Sequence, residues 1–124
     1  MNPPREGQEK MMKENKSNLY EGMFILSAVL SDDARQKALD RIIAEITSHG
    51  GEICKIHDLG RRKLAYEIND HREGVYHLLY FRINPAAITE LWHEFNLHED
   101  LVRFITLHAD SVRETLEYKT LVEQ

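Results

Sequence analysis

One cysteine, Cys54, is all the thiol chemistry in the 124 residues, so no internal disulfide and no redox pair is possible. Its place in an interrupted apolar stretch reads as a structural thiol. Long apolar runs are missing too. The longest, Met23 to Leu26 and Leu78 to Phe81, fall far short of the roughly 18 residues of a spanning helix, and no membrane association is expected. The N-terminal residues carry charge without the apolar stretch of a secretory leader, which makes the cytoplasm the expected compartment. Positive charge is in the minority: 16 Lys and Arg stand against 21 Asp and Glu, a net charge of −5 with His neutral. That balance argues against a protein that binds nucleic acid by itself, because Lys and Arg on phosphates supply most non-specific affinity. There is no glycine-rich phosphate loop, strained nucleophile turn or Cys–His pair, so no enzymatic activity and no cofactor are expected. What is present, 42% apolar and 30% charged residues in 14.5 kDa, suits one packed domain with short tails and is too little for a second.

Residues 1 to 18, with Pro3, Pro4, Gly7 and dense charge but no periodic apolar face, read as a disordered N-terminal arm. Tyr20 to Leu30 is an aromatic and branched apolar stretch that predicts a central strand buried on both faces. Ser31 is a helix cap followed by Asp32 and Asp33, which suit the positive end of the helix dipole. Ala38, Leu39, Ile42, Ile43 and Ile46 then recur at helical spacing until Gly50 and Gly51 stop the helix. Glu52 to Ile68 reads as a long strand, with Gly60 inside it permitting a bulge or sharp bend. Asn69 to Gly74 predicts a turn, and Val75 to Ile83 the returning strand of a hairpin. Asn84 and Pro85 open a second helix whose stripe is Ile88, Leu91, Trp92 and Phe95. Leu101 to His108 predicts the last strand, with Val102, Phe104 and Thr106 on one side. From Asp110 onward the pattern through Val112 and Leu116 suggests a frayed helix. The expected division is an arm over 1–18, a domain over 19–109 and a C-terminal tail over 110–124.

The order is therefore β-α-β-β-α-β. Two helices with one apolar stripe each cover one face of a four-stranded antiparallel sheet, and right-handed crossovers leave the ferredoxin-like α+β sandwich as the expected fold. The other sheet face is then uncovered. Along the third strand Val75, His77, Leu79, Phe81 and Ile83 share one side, and Tyr76, Leu78, Tyr80 and Arg82 the other. A solvated face should be polar, so the aromatic row points to a partner surface; the alternative is that a tail or long loop covers it.

Seven histidines invite a metal reading, and His93 to His98 resembles the HExxH of zinc proteases. The spacing is one residue too long, since i+5 turns the second imidazole about 140° away from the first. His57 and His71 have no second ligand at a usable spacing. No metal is expected, and the histidines read as solvated. Asp32-Asp33 and Glu99-Asp100 sit where caps and turns need acids, which explains them better than acid–base chemistry.

Gly60-Arg61-Arg62-Lys63 is the strongest local feature: three consecutive bases at the bend, followed by Leu64-Ala65-Tyr66. Strand alternation splits them over both faces, so at least one points toward phosphate or solvent however the sheet lies. A merely solvated charge run is the competing reading. Arg103, flanked by apolar residues in the last strand, is a second candidate.

With these residues in view, the chain resembles the bacterial family of small-subunit ribosomal protein six. The resemblance spans Tyr20 to Leu107: Tyr20-Glu21 in the first strand, Gly60-Arg61-Arg62-Lys63-Leu64-Ala65-Tyr66 in the second, Gly74-Val75-Tyr76 in the third, and Asp100-Leu101-Val102-Arg103 entering the fourth. It implies a ferredoxin-like, non-enzymatic ribosomal protein. Such a protein is cytoplasmic, is a monomer off the ribosome, and binds the central domain of small-subunit ribosomal RNA cooperatively with ribosomal protein eighteen. By the same resemblance Arg61, Arg62, Lys63 and Arg103 are RNA contacts, and Tyr76, Leu78, Tyr80 and Arg82 face the partner. Relatives often carry Trp where this chain has Leu59 and Pro where it has Glu67, and the arm is longer and the tail more acidic than theirs. The alternative from another class is a small-molecule enzyme or regulatory homodimer of the same fold, which would pack the open sheet face on a second copy.

Overall fold

The computed structural model describes residues 17–68 and 71–114, so the arm over 1–16 and the tail beyond 114 lie outside the described residues. Its elements are β1 (Asn18–Ser27), α1 (Asp32–Ser48), β2 (Glu52–Ile68), β3 (His71–Ile83), α2 (Ile88–Phe95) and β4 (Leu101–His108).

The local chemistry accounts for the ends of these elements. Ser31 stands in extended conformation and its Oγ accepts the Ala34 amide at 3.1 Å, satisfying one of the orphan donors of α1. At the other end Gly50 takes φ +83°, its amide reaches Thr47 O at 3.0 Å, and the Gly51 amide reaches Ile46 O at 2.9 Å. This paired closure is a Schellman motif, in which the left-handed residue is best a glycine. Asn84 accepts the Ala86 amide at 2.9 Å, but the first turn it caps, Pro85–Ala87, is a tight 3-10 turn and α2 proper begins at Ile88.

Three boundaries differ from the sequence expectation. β1 ends at Ser27, whose amide bonds Asp100 O at 2.9 Å, and Val29, expected inside the strand, is 87% exposed in the following turn. On the hairpin, His71 already faces Ile68, so Arg72, Glu73 and Gly74 are strand instead of turn. Asp110 to Glu114 contains no helix.

The sheet runs in the order β2-β3-β1-β4, and every neighbouring pair is antiparallel. This is the ferredoxin-like sandwich. Between sheet and helices lies the main core: Phe24 and Leu26 of β1, Leu79 and Phe81 of β3, Ile42 and Ile46 of α1, and Leu91 and Phe95 of α2 are each at most 1% exposed. Phe95 meets Phe24 edge-on at 5.1 Å and Phe104 at 5.3 Å, joining α2 to the two strands beneath it. Trp92, expected in the same stripe, is 40% exposed at the rim, where its indole N–H donates to Thr106 Oγ1 at 2.8 Å.

Candidate functional site

The bend in β2 is a bulge built by three adjacent groups. Gly60 has φ +78°, a conformation that resists an L side chain, and the ladder register shifts between Asp58 and Gly60. Asp58 Oδ1 accepts the Gly60 amide at 2.9 Å, and Arg62 Nε donates back to Leu59 O at 3.1 Å. Beyond it Gly60 pairs with Tyr76, Arg61 with Val75, Arg62 with Gly74 and Lys63 with Glu73. Alternation from Tyr76 then sends Arg62 to the sheet face away from the helices, and Arg61 and Lys63 to the helix side.

The two sides differ in how their charges are held. Arg61 donates to Ala28 O at 2.9 Å and lies 3.5 Å from Glu73 Oε2, which ties the hairpin to the turn after β1. Lys63 has no carboxylate partner among the described residues and lines, with Ala28, Val29, Arg61 and Arg72, a groove of about 740 Å³. Glu67, which stands where the family resemblance leads one to expect proline, is 3.9 Å from Arg72 across the hairpin.

On the face away from the helices a row crosses three strands: Tyr76 of β3 and Arg103 of β4 both stand opposite Ile25 of β1. Arg103 Nη1 donates to the Tyr66 hydroxyl at 2.8 Å. The edge strands β2 and β4 are three inter-strand spacings apart, about 14 Å. The contact therefore requires the hairpin, a two-stranded ribbon beyond the sheet, to coil back over this end, as strand twist favours. Tyr66 is 63% exposed. Burial raises the pKa of the half-buried Tyr76 hydroxyl, while the charges of Arg103 and Arg62 pull it back down. Neither arginine has a carboxylate partner among the described residues. Arg62, Tyr66, Tyr76 and Arg103, from three different strands, thus form one cationic and aromatic cluster.

The other end of this face is not open. Leu78 and Tyr80 are both 0% exposed, in a second cluster with Leu19 that Met23, Cys54, Leu59, Ala109 and Val112 pack against. The cover is the segment after β4. The Ala109 amide bonds Leu19 O at 3.0 Å, His57 Nε2 donates to Arg113 O at 2.7 Å, and Lys55 pairs with Glu114 at 3.1 Å. The expectation of an uncovered face is thereby corrected: a short segment of the chain itself lies over Leu78 and Tyr80 and packs on them through Ala109 and Val112. Beneath it the Tyr80 hydroxyl donates to Glu21 Oε2 at 3.2 Å. Arg82, at the far end of β3 opposite Glu52 and Leu19, remains exposed, about 20 Å along the strand from Tyr76. Sequence reasoning passed over Ile105 and Leu107, 43% and 59% exposed on the same face. They alternate with Phe104 and Thr106, and that alternation was the available signal.

The histidines do not converge. His98, expected in solvent, is 6% exposed and hydrogen-bonded through Nε2 to Glu45 of α1, while His93 stands exposed on α2. His49 bridges to Glu94 at 3.0 Å and so links the two helices. His77 is 3% exposed, its Nδ1 has no hydrogen-bond partner among the described residues, and burial lowers its pKa more than Asp58 raises it. Among the described residues no three His, Cys, Asp or Glu side chains are grouped to hold a metal ion.

Comparison with known proteins gives a consistent result. The profile of the family described as Ribosomal protein S6 matches residues 19–108. The small ribosomal subunit protein bS6 of Protochlamydia amoebophila is 61% identical over 113 residues, covering 91% of this chain and 99% of that one. Its counterpart in Chlamydia pneumoniae is 56% identical, covering 90% of this chain and all of that one. Among solved structures, the 30S ribosomal protein S6 of Thermotoga maritima superposes with a TM-score of 0.72 at 30% identity, covering 76% of this chain and 89% of that one.

Proposed function

From the membership of this chain in the ribosomal protein S6 family, we propose that it binds the central domain of small-subunit ribosomal RNA together with ribosomal protein eighteen. As a member of that family it is a cytoplasmic, ribosome-associated constituent of the small subunit, not an enzyme. The observation that carries the RNA reading is the cluster at the end of the open face. Arg62 and Arg103 arrive there from opposite edges of the sheet and have no carboxylate partner among the described residues, while Arg61 is occupied in holding the hairpin. Cations kept free of internal pairing are available to phosphates. Lys63 adds a charge on the other side of the same hairpin.

The net charge of −5 supports a cooperative mechanism, because a basic partner then supplies phosphate contacts that this chain lacks. The partner's surface is the row from Tyr76 to Arg82, with Leu78 and Tyr80 reached through or after the segment Ala109–Glu114 that covers them. Off the ribosome the chain is a monomer, and the arm and tail flank a single domain over 19–109.

The test is a gel shift at stated salt on a central-domain fragment, with this chain alone, ribosomal protein eighteen alone, and both. Tight binding only by the pair is the expected outcome. If the pair gains nothing over the partner alone, the reading fails, and sedimentation showing a tight homodimer would shift it to the regulatory alternative.

A further inference from the structure

We propose that Tyr66, positioned by Arg103, is a stacking platform for an unpaired nucleobase of the RNA. This inference rests on the RNA-binding reading above and adds the chemical class that the cluster recognises.

Tyr66 lies in the part of β2 that projects past the bulge, and it is 63% exposed although its hydroxyl is held by Arg103 Nη1 at 2.8 Å. A hydrogen bond at the hydroxyl fixes the ring without covering its faces. The anchor is itself held: Arg103 stands in the ladder opposite Ile25, which is 6% exposed. The ring is therefore presented from two sheet edges at once, and less conformational freedom is left to lose when a ligand docks. A lone exposed tyrosine needs no explanation, but this one is held by Arg103, and the charges of Arg103 and Arg62 both act on the neighbouring Tyr76. An aromatic face flanked by cations is the pairing that unstacked bases need: the ring for the base, the guanidinium for a second stacking plane or the adjoining phosphate. A duplex end or an apolar protein side chain would not use the unpaired charges in this way. The segment Ala109–Glu114 covers Leu78 and Tyr80, whereas among the described residues Tyr66 stays exposed.

The experiment compares the full chain with Tyr66→Phe and Tyr66→Leu in the gel shift with ribosomal protein eighteen and the central-domain fragment, across a salt series. Tyr66→Leu is expected to weaken the complex about five- to 150-fold, the range for losing one stacked base, with the salt slope unchanged because no phosphate contact is removed. Tyr66→Phe keeps the ring and stays within a few-fold of the parent. Both variants change an exposed side chain, and a circular-dichroism melt confirms that they fold. Equal RNA binding by the parent and Tyr66→Leu overturns the proposal and leaves the RNA reading standing. A loss of affinity for ribosomal protein eighteen alone, without RNA, also overturns it, since the ring is then a protein contact. Failure of the parent chain to bind the fragment in any combination overturns both.

Discussion

Arg62→Gln combined with Arg103→Gln removes two positive charges from one end of the sheet without touching the main core. Arg62 keeps one main-chain contact, to Leu59 O, and Arg103 one side-chain contact, to Tyr66, so neither substitution leaves a buried partner charge. If each guanidinium meets one phosphate, its loss retains about 0.7 to 0.9 of a counterion. The double variant should flatten the slope of log affinity against log salt by about 1.4 to 1.8. Relative to 1 M salt, where the effect vanishes, this amounts to about 25- to 60-fold weaker binding at 0.1 M. The assay is the gel shift with ribosomal protein eighteen present, repeated at four or more salt concentrations, with each single variant expected to give about half the change in slope. Arg61→Gln is the internal comparison: its guanidinium is engaged by Ala28 O and Glu73, so it should lower thermal stability by about 0.5–1 kcal/mol and change the slope less than Arg62→Gln. A double variant whose slope matches the parent would refute phosphate contact at this cluster, whatever happens to the affinity. A larger slope change for Arg61→Gln than for Arg62→Gln would refute the use of internal pairing to rank the bases.

Two further outcomes concern stability. His77 is buried with its pKa lowered, so the unfolded chain takes up a proton that the folded chain resists; stability should fall as pH drops through about 6.5, with a slope of at most about 1.4 kcal/mol per pH unit from this group. Denaturant melts between pH 5 and 8 should show that dependence reduced in His77→Gln, and an unchanged dependence would remove His77 as its source. Val112→Ser trims the cover over Leu78 and Tyr80. It should cost about 1 kcal/mol for a half-buried valine and raise binding of an apolar dye, and a variant as stable as the parent would mean that the segment adds nothing to the sheet face.

Much of this protein was legible from neighbouring residues. Ser31 with its following acids, Gly50-Gly51, and the helical spacing of Ile42 and Ile46 describe α1 because caps and amphipathic stripes act within a turn or two of chain. The strand pattern of Glu52 to Ile68, interrupted at Gly60, pointed to the long hairpin, and the element order with right-handed crossovers left few folds besides this one. The split of Arg61 and Lys63 from Arg62 also follows from alternation, once a bulge register is known. Contacts between distant residues decided the rest. That Tyr66 meets Arg103, 37 residues later and from the opposite edge of the sheet, depends on the coil of the hairpin, which no local spacing encodes. Val112 reads as tail or frayed helix in isolation, because an apolar residue in a short polar segment has no helix to join. Only the finished sheet offers Leu19, Leu78 and Tyr80 as something to cover, and burying that apolar face is why the segment lies there. His98 likewise looked solvated until α1 brought Glu45 against it.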